Sequence, residues 1–185
     1  MSAQTQAIEQ GVPTGTYVVD PVHSSIGFAV LHNGVSTFRS GFGEFETRLT
    51  GGEAPRLEGS VEVGSIEIDE EQFKGHLLSP EFFDAQHHPR LRFASSELSV
   101  DEGGAARLRG ELEIRGEKRE VEATGRFARL GEDAYGKARI GLSLSAEVDR
   151  RSFGLDWNAE LPSGGQVLDY AVEIAVELEL IEEGE

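Results

Sequence analysis

Three groups of residues carry the side chains that could do chemistry. Asp20, His23 and Ser24 fall within five positions and hold the residue types of a nucleophile, a base and its orienting acid. Neighbours on an extended strand point to opposite faces, so His23 and Ser24 are ill placed to act as a pair. The competing reading is a strand-start device: Asp20-Pro21 turns the chain, and the His and Ser side chains satisfy backbone groups. His76, His87 and His88 form the second group, since imidazole suits zinc or copper. Adjacent His87 and His88 cannot easily share one ion and no HEXXH run is present, which favours loop histidines that hydrogen-bond to their surroundings. The third group is Arg150 beside Phe153 and Trp157, a cation with an aromatic surround. Its ordinary reading is a salt bridge to Asp149, Asp156 or another nearby acid.

Other chemistries lack their residues. With no Cys, disulfides, thiolate metal sites and cysteine nucleophiles are excluded. No GxGxxG, GxxxxGKS or GxSxG run is found, so phosphate loops and a nucleophile elbow have no foothold. A formal net charge of −17 repels nucleic acid and anionic membrane surfaces. Most Lys and Arg fall between Arg90 and Arg151, with acids dominating the flanks.

The elements that must position these residues are strands. Apolar residues recur with period two at Ile26, Phe28 and Val30, at Val61 and Val63, and at Leu91 and Phe93. The pattern resumes at Leu108, Leu112 and Ile114, runs from Ile140 to Val148, and returns from Val172 to Leu180 with Glu173, Glu177 and Glu179 opposite. Turns at Asn33-Gly34, Gly51-Gly52, Asp101 to Gly104, Arg115-Gly116, Gly131 to Asp133 and Ser163 to Gly165 separate the runs. Glycines inside strand patterns, Gly110, Gly125 and Gly141, suit the bending of a closed sheet. These features predict an all-β fold, an eight-stranded antiparallel β-barrel, with a two-sheet sandwich as the structural alternative. The segment 70–89 breaks the alternation, and its Phe73, Leu77, Leu78 spacing and Ser79-Pro80 step predict two short helices capping one barrel end.

Residues 1–14 are polar and aperiodic and read as a flexible arm, 15–181 as one barrel domain and 182–185 as an acidic tail. The N-terminus shows neither a basic leader nor an apolar core, and no stretch approaches a membrane span, so a cytoplasmic protein without stable membrane insertion is expected. Long outward strands allow a homodimer, while the acidic last strand opposes close edge pairing.

The remaining functional candidate is the apolar face: Ile26, Phe28, Val30, Phe42, Phe45, Val61, Val63, Phe93, Leu112, Leu142, Leu144, Phe153, Trp157 and Ile174. An eight-stranded barrel is just wide enough to be filled by side chains or to hold one small ligand, and the pattern alone does not choose.

Four stretches taken in order resemble the YceI-like family of lipocalin-fold, polyisoprenoid-binding proteins. They are YVVDPVHSSIGFAVLH at 17–32 with GVSTFRSGFGEFE at 34–46, GHLLSPEFFDAQHHPRLRFASSEL at 75–98, LRGELEIRGEKREVE at 108–122 and VDRRSFGLDW at 148–157. Where relatives commonly carry Arg-Asp before the His-Leu of the second stretch, this chain has Lys74-Gly75. The resemblance implies a lipocalin-like barrel whose interior holds a long apolar ligand such as a polyisoprenoid, prenylquinone or fatty amide, with the apolar set as its lining. It makes His23, His76 and Arg150 candidates for a polar rim, with Arg150 beside Phe153 and Trp157 the best placed to meet a polar headgroup, and it implies no catalytic residues, no cofactor and no required metal. The competing functions are a barrel isomerase or hydrolase acting on a hydrophobic substrate, and a structural or stress module with a filled core.

Overall fold

The computed structural model describes residues 11–184. Ten strand segments form one antiparallel sheet that closes on itself: β1 (Thr16–Val19), β2 (Ser25–His32), β3 (Ser36–Phe42), β4 (Phe45–Thr50), β5 (Arg56–Glu62), β6 (Arg90–Val100), β7 (Ala105–Ile114), β8 (Glu117–Leu130), β9 (Arg139–Asp149) and β10 (Leu168–Glu182). They build an eight-stranded barrel because two of its walls are broken strands. β1 and β2 lie end to end along β10, β1 pairing Tyr17 with Glu182 and β2 pairing Ile26 with Val176. β3 and β4 continue one another in the same way, and β4 joins β1 to β5.

The first break is the Asp20 to Ser24 turn. Pro21 has no N–H to give a ladder, and Asp20 holds the turn by accepting from the Val22 N–H at 3.0 Å. The backbone pairing to β10 survives because the Asp20 N–H donates to the Glu179 carbonyl and the Ser24 hydroxyl accepts from the Glu179 N–H, at 2.8 and 2.9 Å. Ser24 thus works as a backbone substitute, in line with the strand-start reading, and has no contact with His23. The second break, at Gly43, is bridged by Ser65, whose carbonyl accepts from the Gly43 N–H.

Even-numbered residues of β7 and β9 and odd-numbered residues of β4 face inward, as the alternation requires. Inside, Tyr17, Leu49, Ile140, Leu142 and Leu180 pack into a dense floor at one end. At the other end Phe42, Ile66, Leu77, Phe82 and Phe153 form an upper cluster. Val12 belongs to the floor and is 5% exposed, and the Gly52 N–H bonds to its carbonyl, so the ordered body reaches back into the segment expected as an arm. The rest of that arm, residues 1–10, lies outside the described residues. At the other terminus β10 runs through Glu182, the first residue of the expected acidic tail.

Of the two helices expected at 70–89, one forms. α1 (Glu71–Leu78) is capped by the Glu70 carboxylate, which accepts from the Gln72 and Phe73 N–H groups. After Ser79-Pro80 the chain makes turns instead of a second helix. The Phe82 and Asp84 N–H groups both bond to the Ser79 carbonyl, those of Phe83 and Ala85 reach back to Leu77 and Leu78, and Asp84 takes a left-handed φ of 49°. These bonds fold the segment back onto α1 and press Phe82 and Phe83 inward.

On the outer wall, Arg139 gathers three carboxylates: Asp20 at 3.0 Å, Glu179 at 2.6 Å and Asp133 at 2.6 Å. Asp20 is held down at about 2, first by its bond to His23 and then by Arg139, and Asp133 at about 2 by backbone N–H groups and Arg139. Carboxyls lowered in the folded state stabilise it above their ordinary value of 3.8, and that contribution is lost as pH falls toward 2. His23, raised by Asp20, acts in the opposite window, its contribution being complete below 6.5 and fading as pH rises through its folded value. Thermal unfolding followed from pH 5 to pH 2 is therefore expected to show a steeper acid loss for the wild type than for Arg139→Met; parallel curves would deny the network this role.

Candidate functional site

The barrel interior is hollow above the floor. A cavity of about 250 Å³ lies between the floor and α1. Its wall is apolar because the alternation that forms the strands also places their apolar residues inward, and it is hollow because several inward positions are small. Ala123, Ala146 and Gly59 line it where larger side chains would meet across the barrel. Phe73 borders the cavity and is itself 38% exposed, so the capped end gives onto solvent beside α1.

Ten of the fourteen expected lining residues border this space: Ile26, Phe28, Val30, Phe42, Val61, Phe93, Leu112, Leu144, Phe153 and Ile174. Four lie elsewhere. Leu142 is packed into the floor, since the barrel is solid at that level. Val63 is fully buried in a 3-10 turn after β5, outside the alternation. Phe45, at the start of β4, packs against the upper cluster and borders a shallow groove with Gly43 and Glu67 instead of the cavity. Trp157 packs in the cap, its ring 5.3 Å from that of Phe82 and 5.0 Å from that of His76. The aromatic residues missed come from the cap and the second wall, Phe38, Phe73, Phe82 and Phe83, and most of the others missed are aliphatic, among them Leu57, Leu91, Leu108 and Val176. Phe28, Phe38 and Phe73 form an edge-on series from inside to outside, with centroids 6.2 and 5.2 Å apart. The helical spacing of Phe73 and Leu77 was the available signal for part of this set.

The three polar candidates separate. His23 is on the outer surface beside Asp20 and Arg139, away from the capped end. His76 sits in the cap, edge-on to Phe82 and Trp157, with Nε2 2.9 Å from the Glu81 carboxylate. Arg150 borders the cavity and is 5% exposed. It makes no salt bridge to Asp149 or Asp156. Its Nε donates to the Asp169 carbonyl, Nη1 to those of Leu155 and Trp157, and Nη2 to that of Leu168, at 2.6 to 3.3 Å. Its guanidinium also lies 4.8 Å from the Tyr170 ring. Arg150 thereby ties the turn after β9, the following loop and the start of β10 into one rim. Removing it takes a donor from four carbonyls, of which that of Leu168 keeps its bond from Asn158 Nδ2 at 2.7 Å. Arg150→Ala is expected to cost about 2–4 kcal/mol, and Arg150→Lys, which keeps charge but loses the planar fork, should restore less than half of it in urea unfolding.

His87 pairs with Asp84 at 2.9 Å, while the His88 ring lies against Gly116. These two histidines and His76 are thus engaged separately. Asp20, His23 and Glu179 do bring three potential ligand atoms within 4.8 Å of one another. The Arg139 guanidinium, bonded to both acids, already supplies a cation there.

A closed antiparallel barrel with a solid floor, a helical cap and an apolar hollow between them defines a lipocalin-like fold. The chain belongs to the YceI-like domain family, which it matches over residues 17–180. A UPF0312 protein from Shewanella denitrificans is 28% identical over 168 residues, covering 88% of each chain. BcnA from Burkholderia cenocepacia superposes with a TM-score of 0.72 at 17% identity, over 87% of this chain and 98% of that one. A polyisoprenoid binding domain from Saccharophagus degradans, implicated in plant cell wall breakdown, superposes at 0.68 with 13% identity, over 90% and 98%. No helix among the described residues is long and apolar enough to cross a membrane.

Proposed function

We propose that this protein binds one long apolar molecule, a polyisoprenoid, prenylquinone or fatty amide, and sequesters or carries it without chemical change. The observation that carries this reading is the apolar cavity above a solid floor. Among the described residues Arg150 is the one buried charged side chain, and four of its five N–H groups are engaged by backbone carbonyls, so the buried part of the wall offers no carboxylate or imidazole as an acid or base. The relative described as a polyisoprenoid binding domain supports the same ligand class.

Burial of apolar carbon yields about 0.8 kcal/mol per CH₂, so ten carbons offset association and ordering costs by about 8 kcal/mol. A cavity of about 250 Å³ is slightly below the usual range for small-molecule sites, roughly 300–1,000 Å³. With the side chains placed as they are, a stretch of a long chain fits inside and the remainder emerges at the cap. The test is native mass spectrometry of freshly purified protein, followed by organic extraction. One apolar molecule per chain is the expected result. A ligand-free mass together with no uptake of prenylquinones or fatty amides would refute the reading.

A further inference from the structure

We propose that Arg150 makes the cavity selective for a long chain ending in a single carboxylate over uncharged chains of the same length. The inference rests on the carrier reading above and adds to the uncharged chains named there a class with a charged headgroup. Arg150 is buried at the cavity wall, and every hydrogen bond it makes is to a backbone carbonyl. Carbonyls satisfy N–H groups but carry no net charge, and among the described residues no carboxylate makes an ion pair with the guanidinium; Asp149 and Asp156 act on its charge only from beyond salt-bridge distance. The nearest acid in sequence, Asp149, is taken by Arg151 at 2.6 Å on the outside. A guanidinium has five N–H groups; four serve these carbonyls and one, on Nη2, is left over.

An oxyanion at that position would gain a charge-assisted hydrogen bond and neutralise the buried charge. One positive charge matches one negative charge. A phosphate monoester near neutral pH carries up to two, and the second would stand unpaired in an apolar cavity of a chain whose net charge is −17. The geometry also provides a path for the tail. Arg150 directly follows β9, whose inward residues Val148, Ala146 and Leu144 line the cavity from the rim toward the floor. From Leu144 to Val148 that stretch spans roughly 13 Å.

The experiment is titration of delipidated wild-type protein with palmitate, hexadecanol and hexadecyl phosphate at neutral pH and at concentrations below micelle formation. Palmitate is expected to bind about tenfold more tightly than hexadecanol, as befits one charge-assisted bond in a dry site, and more tightly than hexadecyl phosphate. Arg150→Met should bring palmitate down to the level of hexadecanol, and Arg150→Lys should keep part of the preference. If Arg150→Met does not fold by circular dichroism, the wild-type ranking decides. Equal binding of palmitate and hexadecanol, or tighter binding of the phosphate, overturns the proposal while leaving the carrier reading intact. Failure of hexadecanol and palmitate alike would remove the carrier reading as well.

Discussion

Gly125→Ala is expected to abolish the folded barrel or to cost more than about 4 kcal/mol, beyond the range of ordinary substitutions. A Cβ at this position would stand 1.8 Å from the Ser143 carbonyl oxygen and 2.7 Å from its carbon, both backbone atoms of the adjacent strand β9. No rotamer relieves that contact. Either β8 and β9 separate, losing ladder hydrogen bonds, or the barrel changes its curvature. Gly125 pairs with Leu144 on one side and Ala106 on the other, next to the floor, where the wall has least freedom to yield. Gly141 supplies the control. Its Cβ would meet only the Ala128 side chain, at 3.8 Å, which is ordinary contact. Gly141→Ala should therefore change stability by no more than about 0.5 kcal/mol, with reduced unfolded-state entropy in its favour. Urea unfolding of the two variants checks the pair, and equal stabilities would remove the close-approach argument.

The second large effect is on binding. Ala146 faces the cavity from β9, opposite Ile174 in the ladder. Ala146→Phe places a ring in the hollow, where a void exists to receive it, so the stability change should stay within about 1 kcal/mol or be favourable. Binding of any chain that enters the barrel should fall by more than about tenfold, because the displaced carbons lose burial worth about 0.8 kcal/mol each. Titration with the ligand identified by extraction, or with a prenylquinone, reads the loss. Undiminished affinity in a well-folded Ala146→Phe protein would place the ligand elsewhere and refute an internal site.

Period-two runs such as Ile140 to Val148 reported both the strand and its buried face, because a half-buried sheet imposes the same period on both. The turn dipeptides located most connections. Alternation was silent on the hollow: Leu142 and Leu144 share one face, yet the first is floor and the second is wall, a distinction set by what stands across the barrel. Small inward residues such as Ala123 and Ala146 make the difference, and their partners come from strands distant in sequence. The cap was half legible. Phe73 and Leu77 showed helical spacing, but carbonyl sharing at Ser79 turned the following segment away from a second helix. Arg150 was visible as a cation near aromatics. Its four acceptors could not be foreseen, since they are backbone atoms and carry no residue signature.

The two broken walls divide the barrel into storeys with different tolerance for movement. Below the breaks, β1 stands between β4 and β10, so each strand of the lower ring is held on both sides. Above them, the β2–β3 hairpin is laced to β10 along one edge only. Its other edge meets the rest of the protein through the Phe42–Ile66 bridge and the Glu67 N–H to the Gly41 carbonyl. Spreading that seam frees few backbone bonds, and the lower storey does not have to yield with it. The molecule is in this sense a cup with a fixed base and a hinged lip. Were the interior to take a chain longer than the resting hollow, as proposed above, this seam is where the wall would open with the fewest backbone bonds lost.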